Sequence, residues 1–373
     1  MYNNILVIAT AAEHGGALTI LRQFILEASR QKQLNFFVIT SIEPGIIGGS
    51  NVKIIKWPNA KSPVQRLKLE YYALKHWSKK NGINFFAIIS FQNTGIKGFK
   101  GVPQIIYYHN ALPLTKRKWD LFNPAEFKFW FYKRIYPLFT RFTITEDTYF
   151  AVQAAWLKDA LMTKFNISKE RIGNFFPNVE NLKEAIVVER VKGDGPVKLF
   201  YPALPLSYKN HIEILNALSL IKGKQSKLEG IKLVLTFEES DNLSLVRKAK
   251  ELSVLEQIEF IGMRTFNEII QLYQDVDIVV FPSTIETIGL PLIEAAMLGK
   301  KILAADMPYA REVLARYEGV EFIPVGAPLL WAAAIERSCK GTNIFPPLLL
   351  DNQNGWEDFF KWIDSISKNH KYD

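Results

Sequence analysis

Two glutamates separated by seven residues, Glu286 and Glu294, mark the stretch Phe281-Pro282-Ser283-Thr284-Ile285-Glu286-Thr287-Ile288-Gly289-Leu290-Pro291-Leu292-Ile293-Glu294-Ala295-Ala296. The apolar run Ile278–Phe281 reads as a strand that ends at Pro282-Ser283, and Gly289 falls in the loop after it. A helix begins near Leu290, where Pro291 suits the first turn because it has no N–H to leave unpaired. Such a turn aims backbone N–H groups and the positive helix end at one spot, a ready place for a phosphate. Glu286 in the loop and Glu294 one turn into the helix flank that spot, and carboxylates are strong acceptors for sugar and ribose hydroxyls. A glutamate in a first helical turn also caps its helix with no ligand present, so Glu294 alone fits either role.

Alternating strands and helices must position these groups. Strands are expected at Ile5–Ala9, Phe36–Thr40, Val52–Trp57, Phe85–Ser90, Gln104–Tyr108 and Phe142–Thr145, with helices at Ala17–Arg30, Val64–Lys80 and Val152–Lys164. The second half repeats the scheme. Its strands are Lys198–Tyr201, Lys232–Thr236, Ile258–Ile261, Ile278–Phe281, Lys301–Ala304 and Glu321–Ile323. Its helices are Asn210–Ile221, Leu243–Leu252, Phe266–Tyr273, Pro291–Leu298 and Leu329–Ser338. The alternation predicts parallel sheets covered on both faces. Pro177-Asn178 and Lys192-Gly193-Asp194-Gly195-Pro196 are turn signals that separate the two series. The expected organisation is α/β: two doubly wound Rossmann-like domains, 1–177 and 197–353, joined by a linker at 178–196 and followed by a helix at 354–373. They are expected to face each other across a cleft, with ligands at the strands' carboxyl ends.

Composition narrows the chemistry. The chain has 373 residues, 48% hydrophobic and 22% charged, an ordinary globular balance that argues against wholesale disorder. The single cysteine, Cys339, excludes an internal disulfide scaffold, and the five histidines show no metal-ligand spacing. The start Met1-Tyr2-Asn3-Asn4 lacks a basic n-region, so Ile5–Ala9 reads as a first strand rather than a secretory signal. The expected location is cytoplasmic, with a surface that can meet the inner face of the membrane. Residues 1–180 carry 24 Lys+Arg against 11 Asp+Glu, whereas residues 181–373 carry 22 against 26. The positive charge is focused in Leu114–Thr140, where Lys116, Arg117, Lys118, Lys128, Lys133 and Arg134 alternate with rings that include Trp119 and Trp130. That mixture suits an anionic membrane surface; it also fits a packed helix with lysines at its rim. No RNP, KH or zinc-knuckle pattern points to nucleic acid.

The E-x7-E pair, in P-S-x-x-E-T-x-G-L-P-L-x-E-A, resembles the signature of retaining GT-B glycosyltransferases of family 4, common in bacterial surface-polysaccharide synthesis. The resemblance runs along nearly the whole chain: Gly15-Gly16-Ala17, Tyr107-Tyr108-His109-Asn110, Val152-Gln153-Ala154-Ala155-Trp156-Leu157-Lys158, Tyr208-Lys209-Asn210-His211, and Gly355-Trp356 with Phe359-Phe360 in a final helix that crosses back to the first domain. It implies transfer of a sugar from a UDP- or GDP-sugar, without metal, to a glycan or undecaprenyl-diphosphate-linked acceptor in capsule or O-antigen synthesis. It implies that Glu294 binds the donor ribose, Glu286 the transferred sugar, and Thr287, Ile288, Gly289, Leu290 and Pro291 the diphosphate and sugar. Lys209 would neutralise the leaving diphosphate, His109 would approach the reacting sugar, and Gly15-Gly16 would lie beside the donor. The family's arginine five residues before the lysine is replaced by Leu204, and Arg264 is the candidate substitute, with a plain surface arginine as the alternative. Two other classes stay open: a nucleotide-sugar epimerase on the same fold, and a catalytically silent binding subunit. Asp275-Val276-Asp277 resembles a metal-binding D-x-D but falls in a turn before a strand, and Gly15-Gly16 is not the G-x-G-x-x-G of a nicotinamide site.

Overall fold

The computed structural model describes residues 3–61, 63–179, 195–222, 230–341, 345–350 and 355–369. They fall in two units, Met1–Asn178 with Asn352–Asp373, and Val179–Asp351. Of the linker expected at 178–196, residues 180–194 lie outside the described residues.

The first unit runs β1 (Asn4–Ile8), α1 (Gly15–Arg30), β2 (Asn35–Thr40), β3 (Val52–Lys56), α2 (Pro63–Lys68), α3 (Leu74–Lys80), β4 (Ala87–Ser90), β5 (Gln104–Tyr107), α4 (Pro124–Arg134), α5 (Tyr136–Thr143), β6 (Thr148–Val152), α6 (Ala155–Phe165) and β7 (Ile172–Asn174). The strands form one parallel sheet in the order β3-β2-β1-β4-β5-β6-β7. Its central strands are apolar except at their ends, because helices cover both faces. Along β1, Ile5 and Val7 join one core with Phe24 and Phe36, while Leu6 and Ile8 join the other with Leu69 and Leu74. The helix Gly355–Asn369 belongs to the first of these cores. Its buried Trp356, Phe359, Phe360 and Ile363 recur at helical spacing, and Trp356 stacks on Tyr107 at 5.6 Å. A Cβ at Gly355 would strike Phe176 O, so this helix docks through a residue with no side chain.

Three local expectations change. The segment Phe142–Thr145 is not a strand: Phe142 and Thr143 end α5, and β6 follows at Thr148–Val152. Pro137 opens that helix, and Pro137, Thr140 and Thr143 are its buried residues, a period of three that the apolar run conceals. The helix expected from Val152 starts at Ala155, because Val152 still pairs with Asn174 in β7, a strand not anticipated. The expected helix Val64–Lys80 is interrupted by a π-helical turn, Leu69–Ala73, which turns Leu69 and Glu70 inward. Burial pushes the Glu70 carboxyl up to about 7, with Arg66 opposing.

The second unit runs β8 (Val197–Tyr201), α7 (His211–Lys222), β9 (Ile231–Leu235), α8 (Leu243–Glu251), β10 (Ile258–Phe260), α9 (Phe266–Asp275), β11 (Ile278–Phe281), α10 (Leu290–Met297), β12 (Lys301–Ala305), α11 (Pro308–Val313), β13 (Val320–Ile323) and α12 (Pro328–Lys340). Its parallel order is β10-β9-β8-β11-β12-β13. The short helix α11 was not anticipated. The strand order reverses between β8 and β11, as it does between β1 and β4 in the first unit. Loops leaving the carboxyl ends of two such neighbours diverge and open a crevice. Asp277 lies at the opposite edge, where its Oδ2 accepts from Lys198 N at 2.8 Å and ties the start of β11 to β8.

Candidate active site

Lys209 and Glu286 meet at the reversal point of the second unit. Lys209 ends a 3-10 turn (Ser207–Lys209) in the loop after β8, and Asn210 in the left-handed region (φ +57°) redirects the chain into α7. Glu286 lies in the loop after β11. The two loops are joined by Thr284, whose N and Oγ1 donate to Tyr208 O at 2.8 and 2.9 Å. Lys209 Nζ donates to Glu286 Oε1 at 2.5 Å, and both side chains are 16% exposed. Ser283 Oγ donates to the same Oε1 at 2.7 Å, while Tyr309 of α11 holds Ser283 O at 2.6 Å. Tyr201 OH donates to Lys209 O at 2.7 Å and fixes the lysine's backbone.

The surroundings keep this pair as the local charges. Burial, with the Glu286 charge adding, pushes the Tyr208 hydroxyl up to about 12 and those of Tyr201 and Tyr309 well above the ordinary range. All three therefore stay protonated, and Tyr201 and Tyr309 serve as neutral donors. Burial, with Lys209 adding, pushes His211 down to about 3; its neutral ring packs on Tyr201 at 4.6 Å.

Gly289 begins α10 at φ +77°, and a Cβ there would lie 3.2 Å from the Tyr309 ring. Gly289→Ala is expected to cost about 1–3 kcal/mol, combining left-handed strain with that contact. Denaturant unfolding measures it, and a loss below about 0.5 kcal/mol would show that the turn does not require glycine. Of the next residues, Pro291 has no amide to offer, and Leu292 N is turned to Gly289 O at 2.9 Å. Ile288 and Leu292 are buried, whereas Thr287, Leu290 and Pro291 are half-buried. Glu294 follows one turn into the helix; Tyr273 OH of α9 lies 3.2 Å from its Oε2 and 3.0 Å from Pro291 O. Arg264 is exposed after β10, two strands from β8, while Leu204 in the β8 loop is 52% exposed. Lys209 is thus the cation beside Glu286. No group of three or more His, Cys, Asp or Glu suited to a metal occurs among the described residues.

In the first unit, Gly15 (φ +57°) and Gly16 open α1 and are exposed. His109 follows β5, and its N donates to Oδ1 of Asn93, itself left-handed at φ +61°, at 2.7 Å. Its Nδ1 lies 3.3 Å from Tyr107 O, and burial pushes the imidazole down to about 4, so it is neutral near pH 7. Gln92 Nε2 donates to Thr10 Oγ1 at 2.5 Å, joining the β1 and β4 loops.

No residue of α4 is buried. Lys116, Lys118, Lys128 and Arg134 are exposed, Arg117, Trp130 and Lys133 half-buried, and Phe122 is 87% exposed. Trp119 differs from expectation. It is 7% exposed and packs on Phe129 at 5.7 Å, with Arg117 and Lys133 each 5.9 Å from its ring. The indole supports the cations from within rather than facing outward. Ser283, Tyr201, Tyr208 and Tyr309 complete the site and have no role assigned from the sequence; Ser283, directly after the strand-ending Pro282, and Tyr208, in Tyr208-Lys209-Asn210-His211, lie within the stretches singled out there.

Two parallel, doubly wound units with these loops constitute the GT-B fold. Residues 183–343 match the sequence model of the family described as Glycosyl transferases group 1. It is 24% identical over 182 residues to the O-antigen chain mannosyltransferase RfbU of Salmonella typhimurium strain LT2, a match covering 48% of each. The chain thus spans about half the length of the curated relative it matches. Among solved structures it resembles WaaG, a glycosyltransferase involved in lipopolysaccharide biosynthesis, with a TM-score of 0.66 and 14% identity over 99% of this chain and 95% of that one. It also resembles HepE of Anabaena in complex with UDP-glucose, with a TM-score of 0.58 and 14% identity over 99% and 98%. Among the described residues, no helix is long and apolar enough to cross a membrane.

Proposed function

We propose that this chain is a retaining glycosyltransferase that moves a sugar from a UDP- or GDP-sugar to a glycan or undecaprenyl-diphosphate-linked acceptor in bacterial lipopolysaccharide, O-antigen or capsule synthesis. The observation that carries this reading is the Lys209–Glu286 pair at 2.5 Å, placed at the reversal point of a parallel sheet with Glu294 one turn into the adjoining helix. The family match, the O-antigen mannosyltransferase and the UDP-glucose complex of HepE support it.

Glu294 takes the ribose hydroxyls and Glu286 those of the sugar, both acting as charged acceptors. Gly15, Gly16, Thr287, Ile288, Gly289 and Leu290 supply backbone contacts to the donor, and Arg264 belongs to the nucleotide end. In front-face transfer, the bond from the anomeric carbon to the diphosphate oxygen breaks. The acceptor oxygen bonds on the same face, and its proton passes to the leaving diphosphate. Lys209 offsets the charge that grows there, so the reaction needs no metal. A neutral His109 contributes a hydrogen bond to the reacting sugar rather than a charge. The experiment is a thermal-unfolding panel with UDP, GDP, dTDP and ADP. A shift with one of them identifies the donor base; no shift with any favours a catalytically silent subunit, or a donor site that forms only with the sugar attached. Sugar release or isomerisation without acceptor would instead indicate epimerase chemistry.

The exposed cations and rings around α4 are the surface for an anionic inner leaflet, where each Lys or Arg contributes about 1 kcal/mol. Changing Lys116, Arg117 and Lys118 together to Ser is expected to weaken sedimentation with anionic vesicles by about a hundredfold. Unchanged sedimentation would remove the membrane role.

A further inference from the structure

We infer that Glu286 is also a tethered competitor for Lys209: it holds that ammonium whenever no glycosylated donor is bound, so the site selects nucleoside-diphosphate sugar over the bare nucleoside diphosphate. This rests on the donor-site reading above and adds to it how donor and by-product are told apart.

The pair is built rather than casual. Ser283 Oγ and Lys209 Nζ converge on one oxygen, Glu286 Oε1, at 2.7 and 2.5 Å. Ser283 is fully buried and held through its carbonyl by Tyr309, and Lys209 is held through its carbonyl by Tyr201. The two backbones are therefore fixed before the contact forms, and with both charged side chains only 16% exposed the pair is less screened than most surface pairs. The loops that carry them are stitched together by Thr284 and Tyr208.

A nucleoside diphosphate that reaches Lys209 therefore meets a carboxylate already in place. Its phosphate either displaces that oxygen, leaving a half-buried carboxylate without its cation, or binds beside it and is repelled. A nucleotide-sugar meets the same carboxylate, but its sugar hydroxyls donate to Glu286 and compensate for the shared lysine. After transfer the sugar has left with the acceptor, those donors are gone, and Glu286 recovers Lys209. With Leu204 where the family resemblance expects an arginine, no second cation in the β8 loop masks this exchange.

The test is calorimetric titration of wild type, Glu286→Gln, Glu294→Ala and Lys209→Ala/Glu286→Gln with the nucleoside diphosphate chosen by the thermal panel and with its sugar form. Glutamine keeps the size and the Ser283 hydrogen bond but not the charge. Glu286→Gln is expected to bind the bare nucleotide at least tenfold more tightly while gaining nothing, or losing affinity, for the nucleotide-sugar. The gain is expected to vanish in the Lys209→Ala background. Unchanged or weaker nucleotide binding by Glu286→Gln, with Glu294→Ala still weakening it, overturns the competitor role alone. A gain that persists without Lys209 overturns it too, because the repulsion would then not act through the lysine. Binding that ignores Glu294→Ala overturns the donor-site reading instead.

Discussion

Replacing Lys209 with alanine is expected to lower kcat about 10²–10³-fold, the usual cost of deleting one preorganised group that faces charge developing in a transition state. Ground-state contact with the donor makes part of the loss appear in KM as well. The variant also leaves Glu286 half-buried without its cation, held only by Ser283. Unfolding should therefore be measured alongside, to separate lost chemistry from lost structure. Lys209→Arg is expected to recover only part of the rate, because the planar guanidinium cannot occupy the point that Nζ occupies 2.5 Å from Oε1. Single-turnover transfer with saturating donor is the measurement. If Lys209→Ala kept more than about a third of wild-type kcat, the lysine would not be the group that offsets the leaving diphosphate.

The second large effect belongs to Glu294. Hydrogen bonds from neutral hydroxyls to a charged acceptor contribute about 1.5–3 kcal/mol each when deletion leaves partners unpaired. Glu294→Ala should thus weaken the nucleotide by about 10–160-fold for each such bond lost. At a concentration 100 times the wild-type Kd, nucleotide stabilises the native protein by about 2.7 kcal/mol; with Kd a hundredfold weaker the same concentration gives about 0.4. The fold itself should tolerate the change, because Tyr273 OH keeps Pro291 O at 3.0 Å. A Glu294→Ala protein with an undiminished thermal shift would assign this glutamate to capping its helix, the alternative that its sequence position leaves open.

How much of this was legible differs by level. The alternation of apolar strands with amphipathic helices was readable because both sheets are covered on two faces, which makes their strands continuous apolar runs. The strand order was not readable, and it is the order that brings Lys209 and Glu286 together across 77 positions of sequence. Their joint use of Tyr309 and Tyr201 has no local pattern, since these residues and Ser283 come from the ends of two strands and a short helix. Periodicity failed where its signal was short. Phe142–Thr145 reads apolar–polar like a strand, yet the buried Thr140 and Thr143 follow a helical period. Trp119 shows the same limit on a surface: interleaved rings and cations look alike in sequence whether the ring faces outward or, as here, carries Arg117 and Lys133 from beneath. The glutamate pair was the exception, because strand, proline, glycine and helix signals all fall within sixteen residues.

The helix Gly355–Asn369 places Trp356, Phe359 and Phe360 in the core of the first unit, against Phe24 and Phe36 near the amino terminus. On the ribosome, that hydrophobic face is translated only after the whole of the second unit has been made. Until then the first sheet has an unfinished side, with Phe24, Tyr107 and Phe175 lacking their aromatic cover. The second unit, contiguous from Val179 to Asp351, is free to fold ahead of it. The acceptor half of the proposed enzyme is therefore begun before the second unit and completed after it, and a nonsense mutation between Asp351 and Trp356 would leave the second unit whole while the first lacks its aromatic cover.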